Sequence, residues 1–150
     1  MNATPDAPVC SPAALAAAND EPLRILVVED DEVIRSLEAV ILESAGHSVD
    51  TAENGEAAWR TLQASDYDLL VTDYIMPGVS GLALVRQLRI ANMALPVVMV
   101  SGTLETLDTA KLARDPWSRI HAFVRKPFSQ PELLSAVHSA LGSLDEAVGD

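Results

Sequence analysis

The stretch Asp68-Leu-Leu-Val-Thr-Asp73-Tyr-Ile-Met-Pro-Gly78 decides the fold. Its apolar run is too short for a helix and is typical of a strand buried on both faces of a parallel sheet. Asp73 ends the run, and Pro77 and Gly78 indicate a turn directly after it. Asp73 is therefore expected at the carboxyl edge of a parallel sheet, where ligands bind in open α/β folds.

Four further short apolar runs occur along the chain, separated by segments with helical periodicity. The predicted strands are 25–28, 47–52, 68–72, 96–100 and 122–124. The first predicted helix has Ile34, Leu37, Ile41 and Ala45 on one face and stops at Gly46, and the others are 54–65, 81–90, 104–113 and 130–141. This alternation predicts an α/β protein with a five-stranded parallel sheet, doubly wound with five helices.

Composition sets the broad class of the protein. The chain has 150 residues, of which 49% are hydrophobic and 21% charged, as expected for one globular domain. Its net charge of −12 argues against a nucleic-acid partner. The single cysteine, Cys10, excludes an internal disulfide and a cysteine-based zinc site.

The ends of the chain are predicted to be tails. Residues 1–22 contain prolines among small residues and are expected to be a flexible tail, 23–142 the folded domain, and 143–150 an acidic C-terminal tail. No apolar run is long enough to span a membrane, and no secretory signal is evident. These features predict a cytoplasmic protein with no membrane partner.

Polar residues follow four of the predicted strands. Glu29 and Asp30 follow the first, Asp73 the third, Ser101 the fourth and Lys126 the fifth. In the strand order 2-1-3-4-5, the order reverses between strands one and three, so the Glu29–Asp30 pair should lie opposite Asp73. Each residue alone is more simply a cap, a turn residue or a solvated charge. Their occurrence at one edge of one sheet predicts a site.

The residue types indicate phosphoryl chemistry. Three neighbouring carboxylates repel one another and favour a hard cation such as Mg²⁺. One carboxylate can then act as a nucleophile toward phosphorus. Lys126 can pair with one phosphoryl oxygen, and the Ser101 hydroxyl can donate to another.

Four motifs together carry a family resemblance. They are Ile25-Leu-Val-Val-Glu-Asp-Asp31, Val71-Thr-Asp-Tyr-Ile-Met-Pro-Gly78 with Gly81, Val100-Ser-Gly102 and Val124-Arg-Lys-Pro-Phe128. On these motifs, residues 24 to about 141 resemble the receiver domain of bacterial two-component response regulators, which has a chemotaxis-regulator-like, flavodoxin-like fold.

The resemblance implies a role for each site residue. Asp73 would accept a phosphoryl group from a phosphohistidine of a sensor histidine kinase or histidine phosphotransfer protein. Asp30 would ligate Mg²⁺ directly, Glu29 through water, and Ile75 through its backbone carbonyl. Lys126 matches the lysine of the family motif.

The resemblance also implies a switch. Ser101 and Phe123 occupy the positions of a hydroxyl and aromatic switch pair. Phosphorylation would draw Ser101 toward the phosphoryl group and let Phe123 turn inward. The face formed by the fourth helix, the fifth strand and the fifth helix would then bind a downstream protein partner, a second copy as a homodimer, or the next protein of a relay.

Two features depart from the family pattern. Ile75 is apolar where some relatives place a polar residue able to orient water, which predicts slow hydrolysis of the phosphorylated form. The segment 108–121 is longer than expected and contains Asp115-Pro-Trp117 in place of a Gly-Ala lead into the fifth strand. Trp117 is interpreted either as core filler or as an exposed partner anchor.

We expect a single-domain response regulator with no enzymatic activity beyond self-phosphorylation and slow autodephosphorylation. One alternative is the C-terminal receiver domain of a hybrid sensor histidine kinase. An alternative from another class is a Mg²⁺-dependent phosphohydrolase with an aspartyl-phosphate intermediate, which Ile75 disfavours because such enzymes carry a second acid at that position. A degenerate receiver that takes no phosphate is disfavoured because every required residue type is present.

Overall fold

The computed structural model describes residues 22–104 and 107–149. The predicted N-terminal tail lies outside the described residues except for Pro22, as does Cys10. Five strands alternate with five helices over the described part. The strands are β1 (Arg24–Val28), β2 (Ser48–Ala52), β3 (Leu69–Asp73), β4 (Val97–Ser101) and β5 (Ala122–Arg125). The helices are α1 (Glu32–Ser44), α2 (Gly55–Ala64), α3 (Gly81–Ile90), α4 (Thr109–Arg114) and α5 (Gln130–Gly149).

The strands form one parallel sheet in the order β2-β1-β3-β4-β5, so the predicted fold class and strand order are confirmed. The order reverses between β1 and β3, which lie side by side with Val28 opposite Thr72. β3 and β4 are buried along their whole length, as their unbroken apolar runs predicted. β2, at the edge, is mostly exposed.

Helices cover both faces of the sheet, because alternate side chains of each buried strand point to opposite faces. On one face, the side chains of Ile25, Val27, Leu69 and Val71 pack with α1 and α5. On the other, those of Leu26, Val28, Leu70, Val97 and Met99 pack with α2, α3 and α4. The sheet is thus buried between two apolar layers, and the ends of β1, β3 and β4 lie side by side at one edge.

Side-chain caps set the starts of the helices. Asp31 accepts hydrogen bonds from the N–H groups of Val33 and Ile34 and begins α1. Asn54 caps α2 through the N–H of Ala57, and Ser80 caps α3 through that of Ala83. Each cap pairs a donor that would otherwise be unsatisfied at the helix N-terminus.

Three predicted helical features were wrong in detail. The buried residues of α1 are Glu38, Ile41 and Leu42, whereas Leu37 is exposed. The fourth helix begins at Thr109, not near 104, since Asp108 caps it through the N–H of Lys111. The last helix does not end near 141 but continues to Gly149, so helical backbone extends through most of the predicted C-terminal tail.

The unusual segment before β5 is held by Arg89 of α3. Its guanidinium group donates to the backbone carbonyls of Ser118 at 3.0 Å, Met93 at 2.7 Å and Arg119 at 2.9 Å. The Ser118 hydroxyl, itself fully buried, donates to the carbonyl of Leu112 at 2.7 Å. These bonds fix the chain between α4 and β5 and leave Trp117 outside the core, with 57% of its surface exposed.

The three histidines, His47, His121 and His138, lie far apart in the sequence. His47 accepts a hydrogen bond from the N–H of Leu23, and His121 accepts one from the N–H of Val97. Both imidazoles support backbone at the edge of the sheet opposite the acidic residues. In the part of the chain that the structure describes, no helix is long and apolar enough to cross a membrane.

Candidate functional site

Strand alternation brings the charged residues together. Ile25 and Val27 of β1 point to the face covered by α1 and α5, and Glu29 is next in that alternation. Asp73 continues the row of Leu69 and Val71 on β3, and Lys126 follows Val124 on β5 in the same way. Three charged side chains thus extend three apolar rows past the carboxyl edge of the sheet.

Lys126 joins two of the acids. Its Nζ atom lies 2.9 Å from Glu29 Oε1 and 3.2 Å from Asp73 Oδ2. The Glu29 and Asp73 side chains are almost wholly buried, while that of Lys126 keeps 22% of its surface exposed. One ammonium group therefore bridges the ends of β1 and β3, and the predicted proximity of Glu29, Asp73 and Lys126 is observed.

Asp30 adds a third carboxylate. Ligand oxygens of Glu29, Asp30 and Asp73 all lie within 4.8 Å of one another, with Asp30 exposed at the rim. Carboxylate oxygens at this spacing suit a hard divalent cation, and an open rim lets the cation keep several waters. The donor set therefore fits Mg²⁺, with Glu29, Asp30 and Asp73 as the residues that could hold it.

Burial and mutual repulsion raise the pKa of the inner acids. The pKa of Glu29 is raised chiefly by burial, which its hydrogen bonds from Lys126 and from the Asp31 N–H only partly offset. Burial likewise raises the pKa of Asp73, and the charge of Asp30 adds to it against the opposing effect of Lys126. Burial alone would lower the pKa of Lys126, but its two carboxylate partners outweigh burial and raise it. The site thus holds more negative charge than Lys126 can balance.

A backbone hydrogen bond between Tyr74 and Gly81 closes the loop that follows Asp73. The N–H of Gly81 donates to the carbonyl of Tyr74 at 2.9 Å and closes the loop 74–81 at the start of α3. Gly78 has φ = 80°, a conformation that glycine adopts without strain. Met76 anchors the loop in the core, whereas Ile75 is 62% exposed at the rim.

Ser101 is the last residue of β4 and follows Val100, which is paired with Asp73 in the sheet, and its side chain bonds within its own loop. Its Oγ accepts from the N–H of Thr103 at 3.0 Å and lies 3.0 Å from Thr103 Oγ1. Phe123 of β5 is half-buried and packs against the cluster that contains Met99 and Ile120. Of the two predicted switch residues, Ser101 therefore lies at the end of β4 and is bonded to Thr103, and Phe123 lies on the neighbouring strand β5.

Two further charged residues, both on α1, were missed from the sequence. Arg35 donates from Nη1 to the backbone carbonyl of Glu29 at 2.9 Å. Glu38, one turn further along, is fully buried. Helical spacing places residue 38 on the apolar face of α1, together with Ile34 and Ile41. A glutamate at that position was the feature of the sequence from which a role for Glu38 could have been predicted.

A cleft of about 650 Å³ opens beside Asp30. Its lining residues are mostly acidic or come from the loop after Asp73, and they include Glu53, Glu56, Pro77 and Gly78. Arg35 is the one basic residue among them. The cleft gives a second molecule access to the rim of the site.

Comparison with known proteins identifies the family to which the chain belongs. The family model described as the response regulator receiver domain matches residues 25–138, and the chain belongs to that family. The family assignment supports a regulatory role over the phosphohydrolase alternative.

Two relatives of the chain are transcriptional regulatory proteins. The chain is 34% identical over 125 residues to the transcriptional regulatory protein RprY of Bacteroides fragilis, covering 81% of this chain and 50% of that protein. It is 38% identical over 120 residues to the phosphate regulon transcriptional regulatory protein PhoB of Rhizobium meliloti, covering 79% and 52%. The chain thus spans about half the length of these relatives.

Solved structures show the same architecture. The chemotaxis protein CheY4 of Vibrio cholerae matches with a TM-score of 0.69 at 26% identity, covering 77% of this chain and 96% of that one. The response regulator TrrA of Thermotoga maritima, solved in complex with Mg²⁺-BeF, matches with a TM-score of 0.66 at 31% identity, covering 78% and 97%.

Proposed function

We propose that residues 23–142 form a phosphoacceptor switch in which Asp73 takes a phosphoryl group from the phosphohistidine of a sensor histidine kinase or histidine phosphotransfer protein. The observation that carries this proposal is the position of Lys126, whose ammonium bridges Asp73 and Glu29 at 3.2 and 2.9 Å. An acceptor carboxylate needs a fixed cation beside it to balance the charge of an incoming phosphoryl group.

The transfer step uses groups of this chain. A carboxylate oxygen of Asp73 attacks phosphorus, an acyl phosphate O–P bond forms, and the P–N bond to the donor imidazole breaks. The electron pair of that bond stays on the imidazole nitrogen. Lys126 is placed to leave Asp73 Oδ2 for a phosphoryl oxygen, since the two atoms are ion-paired before transfer.

Glu29, Asp30 and Asp73, with the backbone carbonyl of Ile75, would hold Mg²⁺. When bound, that ion neutralises charge on the phosphoryl oxygens. Asp30 suits direct ligation because it is exposed at the rim, and the buried Glu29 suits ligation through water. The residues of the chain position the acceptor carboxylate of Asp73 and the other carboxylates that would hold the cation.

The output of this proposed switch is protein binding. A phosphoryl group on Asp73 offers new acceptors to the Ser101 hydroxyl, which is bonded to Thr103 in this structure. Movement of Ser101 frees space for Phe123, which lies on β5 in the middle of the face formed by α4, β5 and α5. This α4-β5-α5 face would then change its shape and its affinity for a downstream protein.

The phosphorylated form should be hydrolysed slowly. Ile75 is 62% exposed beside the acceptor and has no polar group to orient an attacking water. A half-life of seconds for the phosphorylated protein would contradict this part of the proposal. The substitution Ile75→Asn, which supplies a polar side chain at the same place, should shorten the half-life.

The test is phosphorylation by acetyl phosphate with Mg²⁺, followed by intact mass and by peptide mapping after borohydride reduction. The natural protein should gain one phosphoryl group on Asp73. Asp73→Asn should gain none, while Asp66→Asn, which removes an exposed acid away from the site, should react normally. Phosphoryl incorporation that persists in Asp73→Asn and maps to another residue would refute the assignment.

A further inference from the structure

Glu38 is the one acidic residue of α1 that faces the core. Its side chain is 1% exposed, whereas Glu32 and Glu43 of the same helix are exposed. Among the described residues, its Oε1 atom has no hydrogen-bond partner. A buried, unpaired carboxyl group is costly, so its presence calls for a physical explanation.

The position of Glu38 relates it to the acids of the acceptor site. It lies one helical turn after Arg35, whose guanidinium touches the backbone of Glu29. Its buried neighbours on α1, Ile41 and Leu42, pack on the face of the sheet from which Glu29, Asp73 and Lys126 extend. Glu38 is therefore buried on the same face of the sheet as Glu29, Asp73 and Lys126, close enough for their charges to act on its carboxyl group, whereas Asp30 is exposed at the rim.

We propose that Glu38 is a fourth acidic group of the acceptor site, which raises the affinity of that site for a divalent cation without ligating it. It is a positioning residue, because its negative charge acts electrostatically on the three carboxylates and Lys126 without contact with the cation. This inference rests on the proposed function for the cation site, and it concerns a residue outside the predicted ligand set.

The charges around Glu38 come from three strand ends. Glu29 after β1 and Asp73 on β3 disfavour a further negative charge, and Lys126 after β5 favours one. The residues that α5 contributes to this layer include Leu133, Ala136 and Val137, all apolar. Burial, with the two acids, raises the pKa of Glu38 to about 8. The group is therefore mostly protonated near neutral pH in the metal-free protein.

A divalent cation changes this balance. Two positive charges at the rim favour the ionised form of Glu38, because Coulomb interactions are stronger in a buried site than in water. Cation binding should then be coupled to release of the Glu38 proton, and the coupling should tighten binding as pH rises. By linkage, the affinity rises up to about tenfold per pH unit below the metal-free pKa and levels off above it.

The experiment titrates the full chain with MgCl₂ alone and follows methyl ¹H–¹³C signals of Ile75 and Val100 at pH 6.5, 7.5 and 8.5. Glu38→Gln keeps the size of the side chain and removes its charge. Glu43→Gln removes an exposed charge from the same helix and is the matched control. The carboxyl ¹³C signal of Glu38, assigned by its loss in Glu38→Gln, reports its ionisation directly.

In the natural protein and in Glu43→Gln, the dissociation constant for Mg²⁺ should decrease as the pH rises. Addition of Mg²⁺ should shift the Glu38 carboxyl signal toward that of the ionised form. Glu38→Gln should bind about tenfold more weakly at pH 8.5 and show a shallower pH dependence.

Equal affinities and equal pH slopes in Glu38→Gln and the natural protein would overturn the role of Glu38 and leave the acceptor site intact. A natural protein that binds no Mg²⁺ would overturn both proposals. A Glu38 signal that does not respond to Mg²⁺ in a protein that binds it would overturn the Glu38 proposal alone.

Discussion

Gly81 lies so close to the backbone of Asp73 that a β-carbon on residue 81 would overlap the Asp73 carbonyl oxygen. The contact joins the first residue of α3 to the last residue of β3, so the helix start and the acceptor are positioned by the same atoms. A backbone oxygen cannot move aside as a flexible side chain can. Residue 81 is therefore restricted to glycine by packing against the acceptor strand.

Gly81→Ala should consequently lower the free energy of unfolding, by roughly 1–3 kcal/mol as for other overpacking substitutions. Urea denaturation followed by circular dichroism measures the change. Gly102→Ala is the matched control, because a β-carbon there meets no atom within 4 Å. Equal stability of the two variants would show that α3 shifts away from β3 at little cost.

Lys126→Met should destabilise the protein most at neutral and alkaline pH. The substitution leaves the acids at the strand ends without their cation. Loss of one partner of a fully buried ion pair costs roughly 3–5 kcal/mol, and the cost should be smaller here because Lys126 is partly exposed. The loss of stability should shrink as pH falls. The pKa values of Glu29 and Asp73 are raised, so both acids become protonated at a higher pH than ordinary carboxyl groups do.

Lys111 supplies the control for this variant, since it is the only other lysine and is exposed on α4. Unfolding curves of Lys111→Met should match those of the natural protein. If the free energy of unfolding of Lys126→Met is lowered by the same amount at pH 5 and at pH 8, the cause is lost packing and not lost charge.

Glu38 should make the metal-free protein less stable as pH rises. Its pKa is about 8 in the folded state, against an ordinary value of 4.5. The folded state therefore binds the proton more tightly than the unfolded state, and stability is lost as pH increases from about 4.5 to 8. The expected loss is on the order of a few kcal/mol.

Glu38→Gln cannot ionise and should remove this part of the pH dependence. Thermal unfolding in the absence of divalent cations at pH 5, 7 and 8.5 measures it. The stability advantage of the variant should be largest at pH 8.5. A difference that is the same at every pH would mean that the carboxyl group stays in one ionisation state across the range.

Arg89→Lys should loosen the chain between α4 and β5. A lysine at this position cannot reproduce the three hydrogen bonds that the guanidinium group donates to backbone carbonyls. We expect a loss of roughly 1–3 kcal/mol, with faster amide exchange at Ile120 and His121. Arg86→Lys, on the exposed face of the same helix, should show neither effect.

Much of the fold follows from the sequence alone. The unbroken apolar runs of β3 and β4 and the regular alternation of strands with helices predict a buried parallel sheet, because only a sheet covered on both faces accepts such strands. The acids at the ends of β1 and β3 and the lysine after β5 follow from the same pattern, since parallel strands bring their carboxyl ends to one edge.

Tertiary structure decided the features that depend on contacts between distant segments. The predicted burial of Leu37 was wrong because helical spacing fixes which residues share a face, while the packing of α1 on the sheet selects which face is covered. The burial of Glu38 follows from the same choice. Likewise, the three carbonyl bonds of Arg89 and the overlap that restricts residue 81 to glycine depend on distances between separate segments. Local sequence patterns do not contain those distances.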